Sequence, residues 1–340
     1  MKILFHTNQL SLRGTEVSLF DYAHYNEEIL NNISIIVVKR MGAHHQMAVE
    51  KFNKRFRVFF YDTLEQLQKF ANDEKADMFY AIKSGENDGI LLKGIKNCIH
   101  AVFKSRDSHG DVYAYVSEWL SQEMSSGKMP YVPHIVHLPD VDGDLRNELH
   151  IPEDAIVFGR YGGLETFDIP FAKRLVYSIA TKRKDIYFLF MNTENFLESK
   201  NYFKKKWLNK FASPLMFTKN QMNNVIFLEG VADPEYKTKF IKTCDAMLHA
   251  RVQGESFGIA CGEFSICNKP IITCNARFIK ERSHIEILGN KGIYYSNYDQ
   301  LEKIISNYNK DCNKDWDAYS KKYNPVAVMT KFKEVFINDN

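Results

Sequence analysis

Residues 245–275 read D-A-M-L-H-A-R-V-Q-G-E-S-F-G-I-A-C-G-E-F-S-I-C-N-K-P-I-I-T-C-N. The pattern is strand, glycine-bearing loop, helix, strand. Ala246-Met247-Leu248 is a short apolar run ending at His249, and Gly254 and Gly258 punctuate the loop. Small and apolar residues then predict a helix over about 258–267. Lys269-Pro270 stops it before the β-branched run Ile271-Ile272-Thr273. Two carboxylates, Glu255 and Glu263, stand eight residues apart. On one helix, at ~100° per residue, that spacing sets them about 80° apart, on similar sides. Glu255 near a helix N-terminus is favoured by the dipole. Glu263 has Ala260, Cys261, Phe264 and Ile266 for neighbours, so its helix packs into protein and the carboxylate needs a partner. An ionised carboxylate accepts two hydrogen bonds, which suits the paired hydroxyls of a ribose. The plainer reading is a capping Glu and a second Glu paired with Lys or Arg.

E-S-F-G-I-A-C-G-E followed by N-K-P-I-I-T resembles the Glu-x7-Glu region of retaining GT-B glycosyltransferases, particularly the large family 4. The resemblance implies an α/β chain of two Rossmann-like parallel-sheet domains facing a central cleft. It implies that Glu255 lies near the donor sugar and that Glu263 holds the nucleotide ribose. His249, Arg251, Ser256, Phe257 and Gly258 fall in the same motif or just before it and are expected donor contacts. These roles require that neither carboxylate lie far from the cleft or be buried against a fixed cation.

With 340 residues, the chain is long enough for two domains. Lys and Arg total 45 against 42 Asp and Glu, a net charge of +3. No basic stripe argues for nucleic acid. The longest apolar runs, 33–38 and 186–191, are strand-sized and far short of a membrane span. Met1-Lys2-Ile3-Leu4-Phe5 reads as a strand without a signal-peptide core, so a cytoplasmic location is expected. A peripheral membrane contact stays open. The six cysteines, at 98, 244, 261, 267, 274 and 312, contain no C-x2-C pair. They read as small buried hydrophobes in a reducing compartment, where the sequon Asn32-Ile33-Ser34 goes unused.

The first half alternates strands and helices: strands at 1–6, 33–38, 56–61, 77–82, 99–103 and 112–117, with helices after residue 14 and at 64–71. That alternation predicts a parallel sheet covered on both faces, with ligands beyond the carboxyl ends of its strands. Arg13-Gly14-Thr15-Glu16 resembles the glycine-rich first loop of GT-B enzymes, which faces acceptor or phosphate groups; the alternative is an ordinary helix start capped by Thr15. No G-x-G-x-x-G occurs, which disfavours a nicotinamide cofactor. In family 4 a His after a mid-domain strand reaches the donor sugar. His100, in I-H-A-V-F, is the closer match and His109 the second; for either, a histidine with a backbone partner is the alternative. Ser117-Glu118-Trp119-Leu120 resembles the family's last first-domain crossover and is read as structural.

Four prolines (130, 133, 139, 152) and D-V-D-G-D at 140–144 mark 129–154 as an interdomain linker. Gly143 is fourth, not sixth, from Asp140, and Ile151 occupies the twelfth position, which excludes an EF-hand. Asp140-Val141-Asp142 sits at a proline-rich junction rather than after a strand inside a nucleotide domain, which disfavours a GT-A metal motif. The expected division is an acceptor domain over 1–138 and a donor domain over 139–315, with the 316–340 helices crossing back to the first.

The second half opens with a strand at 155–159, then Arg160-Tyr161-Gly162-Gly163 and a helix from Pro170 capped by Asp168. The glycine pair lets backbone amides approach a ligand. This resembles the family's diphosphate loop, in which Arg and Lys neutralise the leaving phosphates. Arg160 matches the Arg, but Thr166 stands where the Lys falls, leaving Arg251 or Lys173 as substitute cations. A strand at 186–191 precedes a Lys-rich helical segment at 193–211. A strand at 224–228, Glu229-Gly230 and a helix at 233–243 resemble the family's base-contacting loop. A loop at 275–283, a strand at 293–295 and a helix at 301–308 complete the domain.

The resemblance thus implies a retaining glycosyltransferase that takes a nucleoside diphosphate sugar as substrate, requires no metal or other cofactor, and glycosylates a glycan or small-molecule hydroxyl. Alternatives are an inactive sugar-nucleotide binding protein, suggested by the missing Lys, or a GT-B sugar-nucleotide epimerase. A phosphorylase with lysine-linked pyridoxal phosphate normally needs a much longer chain.

Overall fold

The alternating apolar runs form two parallel six-stranded sheets in the computed structural model, which describes residues 1–197, 222–310 and 313–338. The first half contains β1 (Lys2–Thr7), α1 (Gly14–Glu28), β2 (Ile33–Lys39), α2 (Gln46–Arg55), β3 (Arg57–Tyr61), α3 (Leu64–Glu74), β4 (Met78–Lys83), β5 (Lys96–Ala101), β6 (Val112–Tyr115) and α4 (Glu118–Ser125). The second contains β7 (Ile156–Tyr161), α5 (Pro170–Lys182), β8 (Ile186–Met191), β9 (Val225–Leu228), α6 (Pro234–Thr243), β10 (Ala246–His249), β11 (Gly254–Glu255), α7 (Ile259–Ile266), β12 (Ile271–Cys274), β13 (Glu281–Arg282), α8 (Ser283–Leu288), β14 (Gly292–Tyr295) and α9 (Tyr298–Ser306). Then come α10 (Ser320–Tyr323) and α11 (Pro325–Phe332).

The sheet orders are β3-β2-β1-β4-β5-β6 and β14-β12-β10-β7-β8-β9. Counted within its own half, the second repeats the first, and both are the doubly wound dinucleotide-type order. Central strands are apolar on both faces because helices cover both: Ile3, Leu4 and Phe5 of β1 are fully buried, as are Phe158 of β7 and Leu248 of β10. Strand order reverses between β1 and β4 and between β7 and β10. The crevices beyond those carboxyl ends are where ligands bind in such sheets.

The chain's end returns to the first sheet. Val136 N–H donates to the Tyr323 carbonyl at 2.8 Å. The Phe332 ring lies 6.4 Å from that of Phe5, and the Cys98 thiol donates to the Phe336 carbonyl at 3.6 Å. No helix among the described residues is long and apolar enough to cross a membrane.

Several local expectations change. α1 starts at Gly14 with Arg13 before it and no side-chain cap, so Thr15 lies inside the first turn. Ile169, not Asp168, precedes α5. The Asp168 amide is held by the Ala250 carbonyl at 3.0 Å and its carboxylate accepts from Val252 N–H at 2.7 Å, so the residue ties two loops together. α2 was not among the expected helices; only Ala48 and Phe52 are buried on it. Cys312 and residues 198–211 of the expected helical segment lie outside the described residues.

Candidate functional site

The reversal point of the second sheet gathers the charged residues of the motif. Arg160 is the next-to-last residue of β7 and His249 the last of β10, two adjacent strands. Arg160 is only 4% exposed. Its guanidinium donates to the Thr193 and Thr166 hydroxyls and, at 3.1 Å, to the Gly163 carbonyl. Thr166, standing where a Lys was expected, therefore anchors the arginine. Gly162 and Gly163 bend around this group: a Cβ on Gly162 would meet Arg160 Nη2 at 2.7 Å. Burial lowers the guanidinium to about 10, with Glu255 drawing it back up.

Glu255 ends β11, which pairs with β13 as a two-residue ribbon that the sequence did not reveal. Its carboxylate accepts from Arg251 Nη1 at 2.8 Å and meets His249 Nε2 at 3.1 Å. Behind it runs a buried chain: His249 Nδ1 lies 2.8 Å from Thr273 Oγ1, which lies 3.1 Å from His284 Nε2. The three bonds fit the following assignment. His249 Nε2–H donates to Glu255, Thr273 O–H donates to His249 Nδ1, and His284 Nε2–H donates to Thr273. His284 Nδ1 is then the bare nitrogen, and it is buried without a partner. Burial holds His284 neutral, down at about 3. Burial alone would raise the Glu255 carboxyl, but the His249 bond and the Arg251 charge outweigh it and hold it at about 2.

The wheel relation between Glu255 and Glu263 fails, because Glu255 is not on the helix. Gly258, at φ +91°, turns the chain between them, and α7 starts at Ile259. That backbone region favours glycine, and a Cβ would also meet His284 Cβ at 3.1 Å. Ser256 is half-buried on the same bend. Phe257 packs edge-on against His134 at 5.3 Å and Tyr323 at 5.1 Å.

Glu263 is 3% exposed on α7. Its Oε1 is ion-paired with Lys237 of α6, while Oε2 is buried with no partner among the described residues. The cation that the ribose role was required to lack is thus present, on one of the two oxygens. The Lys237 ammonium also lies 5.7 Å from the Tyr161 ring centroid, and the Tyr161 hydroxyl is a second buried, unpartnered oxygen. Burial pushes Glu263 up, as does Asp21 of α1, while Lys51 of α2 opposes both. Burial pulls Lys237 down. Two first-domain charges therefore act on a second-domain pair across the cleft. Lys237 had a readable signal: it stands three and four residues before Phe240 and Ile241, on the buried stripe of α6.

Other expected residues divide. Asn192 ties the loops at this edge: its amide donates to the Gly162 carbonyl at 2.7 Å, and a Cβ on Gly230 would lie 2.9 Å from its Oδ1. Glu229 is exposed beside them. A Cβ on Gly14 would lie 3.4 Å from Ile259 Cδ1, so the Arg13-Gly14-Thr15 turn faces the start of α7. His100 does not reach the cleft. It is fully buried, its ring nitrogens 2.6 Å from the Tyr80 hydroxyl and 2.8 Å from the Val132 carbonyl, with Phe336 against its ring. It is a core histidine under the returning chain end. His109 is at the wrong edge: two residues later, Asp111 N–H donates to the Asn97 carbonyl at the amino end of β5, opposite the cleft.

No family model and no curated protein matches the chain in sequence. Solved structures do match in shape. Anabaena Alr3699/HepE, in complex with UDP and glucose, has a TM-score of 0.71 at 16% identity over 98% of each chain. A glycosyltransferase from Rickettsia africae gives 0.67 at 12% identity, over 98% of this chain and 94% of that one. TarM gives 0.64 at 9% identity over 99% of each. At these identities the likeness is one of architecture, and it shows that the two facing Rossmann-like domains form the GT-B fold.

Proposed function

We propose that the chain is a family-4-like, retaining GT-B glycosyltransferase that moves a sugar from a nucleoside diphosphate sugar to an acceptor hydroxyl. The observation that carries this reading is the ionised Glu255, clamped by His249 and Arg251 beside buried Arg160 at the reversal point of the second sheet. Arg160 and Arg251 neutralise the departing diphosphate, so no metal is needed. Glu255 orients the donor sugar, and the free Glu263 Oε2 takes a ribose hydroxyl. The acceptor oxygen attacks the anomeric carbon on the face that the diphosphate leaves. The carbon–oxygen bond to phosphate breaks as the new one forms, and the acceptor proton passes to the departing phosphate oxygen. Catalysis is then positioning and charge stabilisation. The UDP and UDP-glucose held by Alr3699/HepE support a uridine donor. The free, mostly buried Cys98, Cys244, Cys261 and Cys274 support a reducing, cytoplasmic setting.

The test is thermal shift against uridine, guanosine and adenosine diphosphates, then transfer assays with their sugars. A bound ligand at a hundredfold its dissociation constant adds ~2.7 kcal/mol, an easily read shift. Turnover with an α-linked donor and an α-linked product, read from the anomeric proton coupling, supports the proposal; an inverted product removes retention from it. Thr166 in the Lys position favours a second reading, a binding protein without activity. Nucleotide-sugar binding without turnover would establish that reading instead.

A further inference from the structure

A cavity of about 250 Å³ lies beside the hinge, between α4 of the first domain and α8 of the second. It is distinct from the Arg160 clamp. Trp119, Phe257 and Tyr323 give it aromatic walls, and Glu118 and Glu286 stand exposed at its edge. Ser283, 1% exposed, lines it. The volume falls below the ~300–1,000 Å³ of drug-sized sites, so one small ring fits and a chain does not. The chemistry is mixed. Aromatic faces suit the C–H surface of a ring, the carboxylates accept from hydroxyls, and Ser283 and Lys322 can donate.

We propose that this cavity is a second sugar subsite, built for one neutral pyranose ring. A ring seated there touches Phe257, two residues after Glu255, together with chain crossings of the hinge at Pro133 and Tyr323. Its occupancy therefore braces the Glu255 loop and the contact between α4 and α8, coupling this subsite to donor binding. Glu118 of α4 and Glu286 of α8 bring a carboxylate from each domain to the cavity, where both can accept from ring hydroxyls.

The test follows the Trp119 indole N–H by NMR in the full chain, the signal being assigned by its loss in Trp119→Phe. Titration with methyl α-glucoside, methyl β-galactoside or N-acetylglucosamine should shift that signal saturably. Glu286→Ala and Glu118→Ala should each weaken the sugar at least fivefold while leaving the rest of the spectrum unchanged. Three results overturn the proposal: no shift with any of the sugars, wild-type affinity in both variants, or a shift with tetramethylammonium and none with sugars. The proposal does not rest on the donor reading. Loss of uridine diphosphate binding with the sugar response retained would sink only that reading.

Discussion

Glu255 and Glu263 are eight residues apart in sequence and meet opposite surroundings. Glu255 sits at a strand end among groups that favour charge, and its carboxyl is held at about 2. Glu263 sits on a helix face where burial and Asp21 push its carboxyl up, and its nearest cation, Lys237, is itself pulled down by burial. Gly258 separates the two environments by turning the backbone before α7 begins. One motif thus delivers a fixed negative charge and, a helix turn or two later, a pair of net charge zero with one oxygen free. The first suits a charged clamp around a diphosphate sugar, the second a hydrogen bond to a neutral hydroxyl.

The strongest way to break this comparison is through the arginine that the first region is built around. Arg160→Met keeps the bulk and removes the charge. We expect kcat to fall by ~10²–10³, about 3–4 kcal/mol of transition-state stabilisation, with a change in kcat larger than that in KM. A fall confined to KM would show that Arg160 serves ground-state binding alone.

Glu255→Gln tests the charge itself. A shift from the ordinary 4.5 to about 2 corresponds to about 3 kcal/mol. The sign follows from the depressed value. The stabilisation is fully present above pH 4.5 and is lost as pH falls toward 2, so the wild type should exceed Glu255→Gln at pH 7 and the gap should close on acidification. Urea unfolding of both proteins at pH 7 and pH 3 measures it. A gap of the same size at both would place the effect in packing rather than in charge.

The two regions were unequally legible. The strand–loop–helix–strand pattern and the alternation of apolar runs marked the doubly wound sheets, because burial on both faces writes itself into continuous β-branched runs such as 33–38. Arg160, His249 and Glu255 stand at strand ends and Arg251 two residues past one, which is why the sequence could single them out as candidates. Lys237 and His284 were not picked out: the stripe of α6 marks Lys237 as buried, but sequence distance conceals its partner on α7 and the Thr273 link between two histidines. His100 misled because it too is the next-to-last residue of its strand, but there Val132 and the returning chain end cover the carboxyl end. The Tyr80 hydroxyl and Val132 carbonyl that satisfy it come from residues 20 and 32 positions away.

The smallest expected effect sharpens the second region. A ribose hydroxyl on the free Glu263 oxygen should contribute about 1.5 kcal/mol, roughly tenfold in affinity. Uridine diphosphate and its 2′,3′-dideoxy analogue should therefore differ about tenfold on the wild type. Removing Glu263 alone confounds the measurement, because it leaves Lys237 buried without its partner. Replacing both, Lys237→Met with Glu263→Met, removes the pair together, a change that is often close to neutral for folding. In that protein the two nucleotides should bind equally, and only the natural one should have lost affinity relative to wild type. A tenfold preference that survives the double replacement would assign the ribose to another group. Tyr161, whose buried hydroxyl also lacks a partner and whose ring lies under the Lys237 ammonium, is then the residue to replace with Phe.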